Sequence, residues 1–349
     1  MVEAGTLSRP RIGLLGPMLG PNRGWSVGQG EILAGLLARE GCSVLTASRR
    51  VSRWLRLADL TLSPVLWRGR VDLLVVLVFS GAAFRLVEAA STVGAWAGFP
   101  MVFWLHGGGL VDFAHRHPAR MDRVLGRGRA WVAPSGFLAE PFRGRGFDVR
   151  VIPNVIDLAE YPYRRRSTVA PRLLWMRTFH ELYRPDLALR ALAAVRRTHP
   201  EAALTLAGQD KGLLGETRRL AAELGLDGAV RFAGFLDAEG KRREFAEHDI
   251  FLNTNRVDNA PVSVLEAAAF GLPVVSTNVG GIPYLLRQGE EALLVPEGDA
   301  EALAASVRRL LDEPGLAARL SSAGKEVAER SSWPRVWPLW EELLAEVAF

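Results

Sequence analysis

Residues Asn255–Tyr284 read NRVDNAPVSVLEAAAFGLPVVSTNVGGIPY and decide the architecture of the second half of the chain. Pro261 suits the first turn of a helix, because the N–H that proline lacks would have no intrahelical partner there. This helix is predicted to stop at Gly271, a residue type that favours helix ends. Pro273–Thr277 then reads as a buried strand, and a Gly-Gly pair opens a tight turn. The stretch therefore predicts a helix that leads into a buried strand, as in an α/β sheet.

Outward from this stretch, short apolar runs alternate with amphipathic segments over nearly the whole chain. Continuous apolar strands separated by helices are typical of a parallel sheet covered on both faces. The predicted strands are Arg11–Gly16, Ser43–Ser48, Val71–Phe79, Met101–His106, Ala130–Ser135, Val149–Pro153, Leu173–Met176, Ala203–Ala207, Val230–Ala233, Ile250–Asn253, Pro273–Thr277 and Ala292–Val295. The predicted helices are Gly30–Arg39, Ala82–Trp96, Phe137–Arg145, Asp186–Arg197, Glu216–Leu224, Ala238–His248, Val262–Phe270, Ala300–Leu311, Leu316–Arg330 and Trp333–Phe349.

A break in this alternation divides the chain into two predicted domains of the same α/β class. Asn154–Arg172 has little periodicity and a basic triplet, Arg164–Arg166, and is interpreted as a linker. We assign residues 1–165 to an N-terminal Rossmann-like domain and residues 166–332 to a C-terminal one. The last segment, 333–349, is expected to be a helix that joins the first domain. Two doubly wound domains in tandem are expected to face a central cleft, because α/β sheets bind ligands at their carboxyl edges.

The charge balance is mildly basic, with 43 Lys and Arg residues against 38 Asp and Glu residues and a pI near 9.8. Two interpretations stay open: dispersed, solvated arginines, or attraction to an anionic partner such as phosphates, a membrane surface or nucleic acid. The hypothesis of peripheral contact with an anionic membrane rests on net charge alone, and neutralising Arg164–Arg166 and the basic residues of Arg116–Arg129 should abolish such binding. Nucleic acid is not the partner we expect.

The cysteine content and the apolar runs predict a soluble, cytoplasmic protein. A single cysteine, Cys42, cannot form an internal disulfide, which favours a reducing compartment. Met1–Pro10 lacks the basic region and the apolar core of a signal peptide. The most apolar run, Val71–Phe84, is too short to span a bilayer. Any membrane contact is therefore expected to be peripheral, at the inner face.

The helix of the opening stretch offers an anion site that follows from its own backbone. The first turn of this helix contains the N–H groups of Val262, Ser263 and Val264, which have no acceptor within the helix. The helix dipole places the equivalent of about half a positive charge at this end. A diphosphate can dock on such donors without a metal. Glu266 lies about a turn further on, where it can accept hydrogen bonds from ribose hydroxyls, and Asp258 lies in the preceding loop, within reach of a sugar. The alternative is that these acids only favour the helix dipole.

This constellation resembles the donor-site signature of glycosyltransferase family 4, in which two glutamates stand eight positions apart before an A-x-G-x-P-V-V run and a Gly-Gly turn. Glu266 matches the second glutamate, which in that family holds the donor's ribose. Asp258 stands at the position of the first glutamate, which in that family contacts the transferred sugar. It has the same negative charge on a shorter side chain. The resemblance extends over the whole chain and implies the GT-B fold. It also implies a retaining, metal-independent transferase without a cofactor, which moves a sugar from a nucleotide diphosphate-sugar to a glycan, lipid-linked or small-molecule acceptor.

Further donor-binding residues follow from the same resemblance. Arg177, at the end of a predicted strand, matches the family's basic residue on the donor phosphates, where a guanidinium grips two oxygens at once. The family's usual lysine is missing, and Arg184 near its place is either a substitute or a surface charge. Lys211, in a loop that resembles a donor-side loop, is either a phosphate contact or a solvated turn residue. Phe235 ends the segment Val230–Phe235, which resembles the backbone frame of the nucleotide base and fits a plain core strand equally well.

In the first domain, the candidates are a glycine-rich loop and one histidine. The loop contains Gly16, Gly20, Gly24 and Gly28, which let the backbone approach a ligand closely. It is not a clean G-x-G-x-x-G and lacks the acidic partner of a dinucleotide site, so it is a weak signal. His106 ends a strand beside three glycines. It is either a buried structural histidine or, as the resemblance implies, a contact to the transferring sugar.

The sequence predicts no metal site and leaves three rival functions open. No His, Cys or carboxylate grouping has metal-ligand spacing, and no D-x-D motif is present. A nucleotide-sugar epimerase or phosphorolytic enzyme would use the same scaffold. A nicotinamide-dependent dehydrogenase would need the dinucleotide fingerprint that is missing here. A non-catalytic nucleotide-sugar-binding homologue would explain the aspartate at 258 and the missing lysine.

Overall fold

The computed structural model describes residues 9–348 of the 349-residue chain. The described chain forms two compact units. The first runs to Val155 and includes the residues from Val336 onward, and the second is Ile156–Arg335. Each unit contains one sheet of six strands, and the neighbouring strands in both sheets are parallel. The fold is therefore α/β, with two Rossmann-like domains.

The first unit places six helices around its sheet. Its strands are β1 (Arg11–Leu15), β2 (Ser43–Ala47), β3 (Leu73–Val78), β4 (Met101–Leu105), β5 (Ala130–Ala133) and β6 (Val149–Val151). Its helices are α1 (Gln29–Arg39), α2 (Arg53–Leu66), α3 (Phe84–Trp96), α4 (Leu110–Arg116), α5 (Pro118–Leu125) and α6 (Gly136–Arg143). The strand order is β2-β1-β3-β4-β5-β6. β3 reads LLVVLV and is buried at every position, as expected for a central parallel strand.

The second unit repeats this plan. Its strands are β7 (Arg172–Met176), β8 (Ala203–Ala207), β9 (Val230–Gly234), β10 (Ile250–Asn253), β11 (Val274–Thr277) and β12 (Leu293–Val295). Its helices are α7 (Pro185–Arg196), α8 (Leu214–Glu223), α9 (Ala238–Glu247), α10 (Val262–Ala269), α11 (Ile282–Leu285), α12 (Ala300–Asp312) and α13 (Leu316–Arg330). The strand order is β12-β11-β10-β7-β8-β9, and buried apolar clusters cover both faces of the sheet.

The predicted strands are all present, and their ends differ from the prediction by two residues at most. Buried parallel strands are continuous apolar runs, which makes them easy to find in a sequence. Four helices lie outside the predicted set: α2, α4, α5 and α11. α4, α5 and α11 are short. α2 contains Pro64, a residue type that usually interrupts a helix.

The interpretation of Asn154–Arg172 as a plain linker is wrong for Arg166, which is 1% exposed. Its guanidinium donates hydrogen bonds to the carbonyl oxygens of Phe270 at 2.5 Å, Phe245 at 3.0 Å and His248 at 2.9 Å. Burial lowers the pKa of Arg166 to about 10. From Ile156 onward the segment belongs to the second unit, and Arg166 cannot contribute to a membrane-facing basic triplet.

The C-terminal helix α14 (Trp333–Ala348) begins in the second unit and continues into the first. In the first unit, the buried ring of Trp340 meets Trp104 edge-on, with ring centroids 5.2 Å apart. An ion pair between Arg150 and Glu346 adds a polar contact at the surface. The tryptophan stripe of this helix therefore serves packing.

Candidate functional site

The carboxyl ends of β7 and β10 form the strand switch point of the second unit. The two strands are parallel neighbours, with Leu252 opposite Trp175. β8 and β9 lie on one side of this pair and β11 and β12 on the other, so the chain leaves the two strands in opposite directions. Loops that diverge in this way leave a crevice in which α/β proteins bind ligands. Arg177 follows β7 directly and Asp258 lies in the loop after β10, so the topology brings both to this edge.

The loop that carries Asp258 is held against the Gly280-Gly281 turn. The N–H of Gly281 donates to the carbonyl oxygen of Asp258 at 2.9 Å. A Cβ atom on Gly281 would lie 1.7 Å from the carbonyl oxygen of Asn259, and one on Gly280 would lie 2.1 Å from that of Asp258. The backbone approach therefore requires the Gly-Gly pair of the sequence motif, and it fixes the position of the Asp258 loop.

Arg177 and Asp258 form an ion pair at this edge, with each side chain 15% exposed. Arg177 also donates to Ser263 Oγ at 3.3 Å, and its guanidinium carbon lies 4.3 Å from the ring centroid of Tyr183. Asp258 accepts further hydrogen bonds from Asn255 Nδ2 and from the N–H of the next residue. Within the described chain, the buried Nε–H of Arg177 has no acceptor. Arg177 therefore keeps an unused donor near the first turn of α10.

Helix α10 begins beside this ion pair, with Pro261 as its N-cap residue. The N–H of Val264, expected to be open, instead donates to the carbonyl oxygen of Pro261 at 3.1 Å. Such i to i+3 bonds tighten the first turn of a helix and use one of its free donors. The N–H groups of Val262 and Ser263 have no acceptor among residues 9–348. Two backbone donors, rather than three, therefore accompany the Ser263 hydroxyl and Arg177.

Glu266 lies further along α10 and is only 5% exposed. Its carboxylate accepts a hydrogen bond from Lys241 Nζ of α9 and another, at 3.3 Å, from the hydroxyl of Tyr161. Burial, together with the adjacent Glu266 carboxylate, raises the pKa of Tyr161, so its hydroxyl stays protonated as a donor. A buried carboxylate needs partners of this kind, because the loss of water costs several kcal/mol unless it is compensated.

Lys241 and Tyr161 are two contacts of Glu266 that sequence reasoning missed. They lie 25 and 105 positions away from Glu266 in the chain, so no local pattern connects them to it. One signal exists for Lys241: the chain has three lysines among its 43 basic residues. Lysine supplies a compact point charge and arginine a planar fork. In a chain with so few lysines, a lysine therefore indicates a place where a compact charge suits the contact better than an arginine.

Arg184 lies at the N-cap of α7 in a left-handed conformation, with φ of 48°. Its guanidinium pairs with Asp186 at 2.8 Å and with Glu297 at 3.1 Å. Two carboxylates therefore already compensate its charge. Of the two interpretations given above, this geometry favours a surface ion pair over a substitute for the family's lysine.

Lys211 and Phe235 follow neighbouring strands of the same sheet, β8 and β9. The loop after β8 passes directly over Arg177, because a Cβ atom on Gly208 would lie 1.8 Å from the carbonyl oxygen of Arg177. Lys211, in that loop, is exposed, and its N–H donates to the carbonyl oxygen of Phe179 at 3.1 Å. Phe235 is 38% exposed. Their contacts to a donor stay predictions.

His106 belongs to the first unit, where it follows β4 and is 7% exposed. Its ring stacks on Phe79, with centroids 5.1 Å apart, and lies 4.3 Å from Trp104. Burial lowers the pKa of His106 to about 3, so the ring is neutral at physiological pH. Its buried Nε2 has no hydrogen-bond partner in the described chain. His106 is therefore a buried ring among aromatic side chains, and its contact to a sugar stays a prediction.

The glycine-rich loop of the first unit is shaped by its own packing. A Cβ atom on Gly16 would lie 2.9 Å from Leu77, and one on Gly20 would lie 2.8 Å from the backbone of Val27. Gly24 has φ of +81°, which favours glycine. The carboxylate of Glu31 accepts hydrogen bonds from the N–H groups of Gly20 and Gly28, at 2.8 and 2.7 Å. Glu31 thus already occupies two backbone donors that an anionic ligand would use.

The switch point of the first unit, between β1 and β3, holds a partly open apolar cavity. The ends of the two strands line it with Leu15, Leu77 and Phe79, and α2 contributes Leu60 and Arg56. The guanidinium of Arg56 is tied down by two backbone carbonyl oxygens of the segment before α2, each at 2.9 Å. The two units therefore present different chemistry at equivalent places in their sheets.

Neither a metal-ligand cluster nor a spanning helix occurs among residues 9–348. No group of three His, Cys, Asp or Glu side chains in that range is arranged to hold a metal ion, and metal independence stays a prediction. No helix there is long and apolar enough to cross a membrane. Cys42 is buried, and burial raises the pKa of its thiol, which suits an apolar role.

Residues 168–327 match a family model described as glycosyl transferases group 1. This range contains Arg177, Asp258 and Glu266. The chain is similar to glycogen synthase of Mycobacterium tuberculosis, with 32% identity over 184 residues, or 51% of this chain and 44% of that protein. It is similar to D-inositol 3-phosphate glycosyltransferase of Saccharomonospora viridis, with 33% identity over 159 residues, or 43% and 37% of the two chains. These matches span less than half the length of either relative.

Among solved structures, the chain is similar to Anabaena HepE in complex with UDP and glucose, with a TM-score of 0.76. The likeness covers 97% of this chain and 100% of that one at 17% identity, so it concerns the fold alone. Together with the two parallel six-stranded sheets, it establishes the GT-B fold of two Rossmann-like domains that the sequence predicted.

Proposed function

We propose that this chain is a glycosyltransferase that moves a sugar from a nucleotide diphosphate-sugar, bound at the switch point of the second unit, to a glycan or lipid-linked acceptor. One observation carries the proposal: the Arg177 guanidinium, the Ser263 hydroxyl and the open N–H groups of α10 converge near a buried carboxylate, Glu266. The glycosyl transferases group 1 match spans this region and supports the same conclusion.

The departure of the nucleoside diphosphate is the demanding step of such a transfer, because its phosphate oxygens gain negative charge as the glycosidic bond breaks. Hydrogen-bond donors that are already in position near that charge lower the activation barrier, because they need not reorganise during the reaction. The unused Nε–H of Arg177 and the N–H groups of Val262 and Ser263 are donors of this kind. The positive end of the α10 dipole acts in the same direction.

Asp258 exchanges partners in this mechanism. Without donor, its carboxylate pairs with Arg177. A diphosphate that binds Arg177 competes with this ion pair and frees the Asp258 carboxylate to accept hydrogen bonds from hydroxyls of the donor sugar. The hydrogen bond from the N–H of Asn259, at 2.8 Å, keeps the carboxylate oriented during the exchange.

Glu266 holds the ribose in the proposed complex. Its carboxylate is an acceptor for hydroxyl donors, and Lys241 and Tyr161 orient it. Lys241 supplies a positive charge beside Glu266, which offsets the repulsion between that carboxylate and an anionic diphosphate. This assignment extends the match between Glu266 and the second glutamate of the sequence signature.

The proposal includes retention of anomeric configuration by a front-face route, in which the leaving phosphate assists the acceptor and no enzyme nucleophile is assigned. It also includes a metal-independent reaction, since Arg177 and the α10 dipole supply positive charge at the diphosphate. Proton NMR of the first product would give the anomeric configuration. Turnover in EDTA equal to turnover in Mg²⁺ is the expected result for the metal.

Thermal shift against UDP-, GDP-, ADP- and TDP-sugars tests the donor site, with UDP-glucose as the first probe because HepE was solved with UDP and glucose. A donor at a hundred times its dissociation constant stabilises the folded protein by about 2.7 kcal/mol. Glu266→Gln should abolish most of this shift, and Glu313→Gln, which alters an exposed ion pair with Arg309 in the same unit, should leave it unchanged. Equal shifts in both variants would refute the assignment of Glu266. No shift with any donor would refute the proposed function.

A further inference from the structure

Helix α2 of the first unit carries an apolar stripe on its solvent side. Trp54 is 81% exposed, Leu62 57% and Leu66 67%, and Val51 and Leu55 complete the stripe at 48% and 58%. Val51 lies two residues before the helix, and the other four residues follow the 3.6-residue period, so those four share one face of it. We call this set the α2 stripe. Isolated exposed apolar residues are ordinary, but a contiguous row with an open tryptophan marks an interaction surface.

The opposite face of α2 is already used by the fold. Leu60, Ser63 and Pro64 are buried against the unit, and Leu60 also lines the apolar cavity. The α2 stripe therefore does not contribute to the core, although its residues are as apolar as those that do. Apolar surface in contact with water is unfavourable in free energy, so an exposed stripe of this composition indicates a partner that covers it.

The charges around the α2 stripe have one sign. The segment 49–70 contains six arginines and one aspartate, Asp59. Its excess of five positive charges equals the formal net charge of the entire chain, +5. Arg49, Arg50 and Arg53 precede or begin the helix, and Arg68 and Arg70 follow it, so exposed basic groups stand at both ends of the stripe.

Acidic groups near this segment are largely neutralised elsewhere. Asp72, just beyond it, pairs with Arg11. Glu88 of α3, the helix that packs beside α2, pairs with Arg120. Trp96, at the end of α3, is 70% exposed, and the guanidinium of Arg68 lies over its ring at 5.6 Å. The surface therefore combines apolar side chains, two open indole rings and unbalanced positive charge.

We propose that the α2 stripe and its flanking arginines dock the protein on a membrane surface that contains anionic lipids. An amphipathic helix with aromatic and aliphatic residues on one side and arginines beside them binds at the lipid headgroup boundary. Tryptophan favours that interface, and each arginine near an anionic surface strengthens the attraction. A protein partner would be expected to need acidic groups at both ends of the stripe, whereas an anionic bilayer supplies negative charge everywhere.

This surface differs from the basic sets that the sequence suggested for membrane contact. Arg166 is buried, and Arg164 pairs with Asp249 at 3.1 Å. In the segment 116–129, Arg120 pairs with Glu88. The α2 stripe is independent of the donor site and of the proposed function, because it lies in the other unit and uses none of the proposed donor-binding residues.

Co-sedimentation of the full chain with vesicles tests this proposal. Phosphatidylcholine vesicles with about 30% phosphatidylglycerol should bind the protein at least tenfold more tightly than pure phosphatidylcholine vesicles, and raised salt should weaken the binding. The double variant Trp54→Ser, Leu62→Ser should lose at least tenfold in affinity, and so should the triple variant Arg49→Gln, Arg50→Gln, Arg53→Gln. Because all five residues are exposed, the melting temperature should stay within about 2 °C of wild type.

A matched control is Leu339→Ser, which removes a 40% exposed leucine from α14 in the same unit. It should bind vesicles like wild type. Equal affinity for anionic and neutral vesicles, or unchanged binding in both α2 variants, would overturn the proposal. So would a concentration-dependent dimer that the serine variant abolishes, measured by sedimentation velocity, since a second copy of the chain would then cover the stripe. Donor-induced thermal shifts, measured on the same variants, report separately on the proposed function.

Discussion

In the second unit, β7 is followed by Arg177 and β10 by the loop of Asp258, whereas in the first unit β1 is followed by Gly16 and β3 by Phe79. Both pairs of strands stand at a switch in strand order, so the backbone offers a crevice in both places. One crevice carries an ion pair and open N–H donors, and the other an apolar cavity. The residues that follow the strands, rather than the topology, therefore decide what each crevice can bind.

The comparison extends to the titratable groups. At the charged switch point, each ion has an opposite charge or a hydrogen bond beside it, as Glu266 has in Lys241. Near the apolar one, His106 meets aromatic rings, and its pKa falls to about 3 because no partner compensates for burial. A charge in a low-dielectric site survives only when it is paired. The buried His106 of the first unit is therefore neutral, whereas the buried Glu266 of the second unit is paired with a cation.

The largest effect is expected for Arg177→Ala, which removes the cation from the charged switch point. One preorganised donor is often worth a factor of about 10² to 10³ in kcat, and the variant also leaves Asp258 unpaired. Initial rates with the donor found by thermal shift would measure the loss. Arg309→Ala, which removes an exposed arginine paired with Glu313, serves as the control and should keep wild-type turnover. Turnover of Arg177→Ala within a factor of three of wild type would contradict the role of Arg177.

Lys241→Met should destabilise the second unit, because the buried Glu266 carboxylate would lose its cation. Breaking a buried pair costs about 3–5 kcal/mol, and about 2–3 kcal/mol is expected here because Lys241 is 29% exposed. Urea unfolding measures the change, and Lys325→Met, at an exposed lysine, should cost less than about 0.5 kcal/mol. The double variant Lys241→Met, Glu266→Gln should recover part of the loss. If it is no more stable than the single variant, the pair is not the cause.

Gly281→Ala sharpens the comparison by moving the Asp258 loop without changing a charge. The new Cβ atom would collide with the carbonyl oxygen of Asn259, so the loop must shift. Overpacking of this kind costs about 1–3 kcal/mol, and donor affinity should fall with it. Gly35→Ala, inside α1 with open space around its Cβ position, should be neutral or slightly stabilising. Wild-type donor affinity in Gly281→Ala would show that the loop position does not matter.

The smallest effect concerns His106 and pH. Because its folded pKa of about 3 lies below the unfolded value of 6.5, the unfolded chain binds the extra proton first as pH falls. Wild type should therefore lose about 1.4 kcal/mol of stability per pH unit below pH 6 from this residue alone. His106→Phe, which keeps an aromatic ring, should show a shallower acid limb in chemical unfolding between pH 6 and 4.5. If the free energy of unfolding changed with pH to the same extent in wild type and in His106→Phe, then His106 would not be buried as a neutral ring.

The strands, and the carboxyl edge of the sheet at which the candidate site lies, could be predicted from the sequence, because both depend on local patterns. Apolar runs mark buried strands, and the proline–glycine frame of α10 marks a helix with an open N-terminus. What depends on distant residues could not be predicted. Lys241 and Tyr161 reach Glu266 only through the tertiary fold, and Arg166 finds its carbonyl partners 79 to 104 positions away. α2 was not predicted, and it contains Pro64, a residue type that usually interrupts a helix.

The scarcity of lysine has a practical consequence. Outside the backbone terminus, amine-selective reagents can modify three side chains in this protein: Lys211, Lys241 and Lys325. One of them touches the carboxylate proposed to hold the ribose. Peptide mass mapping after brief acylation, with and without a nucleotide, would then report occupancy of that pocket directly, without an acceptor or an activity assay. Lys325, which is exposed and is not a candidate donor contact, provides an internal reference in the same spectrum.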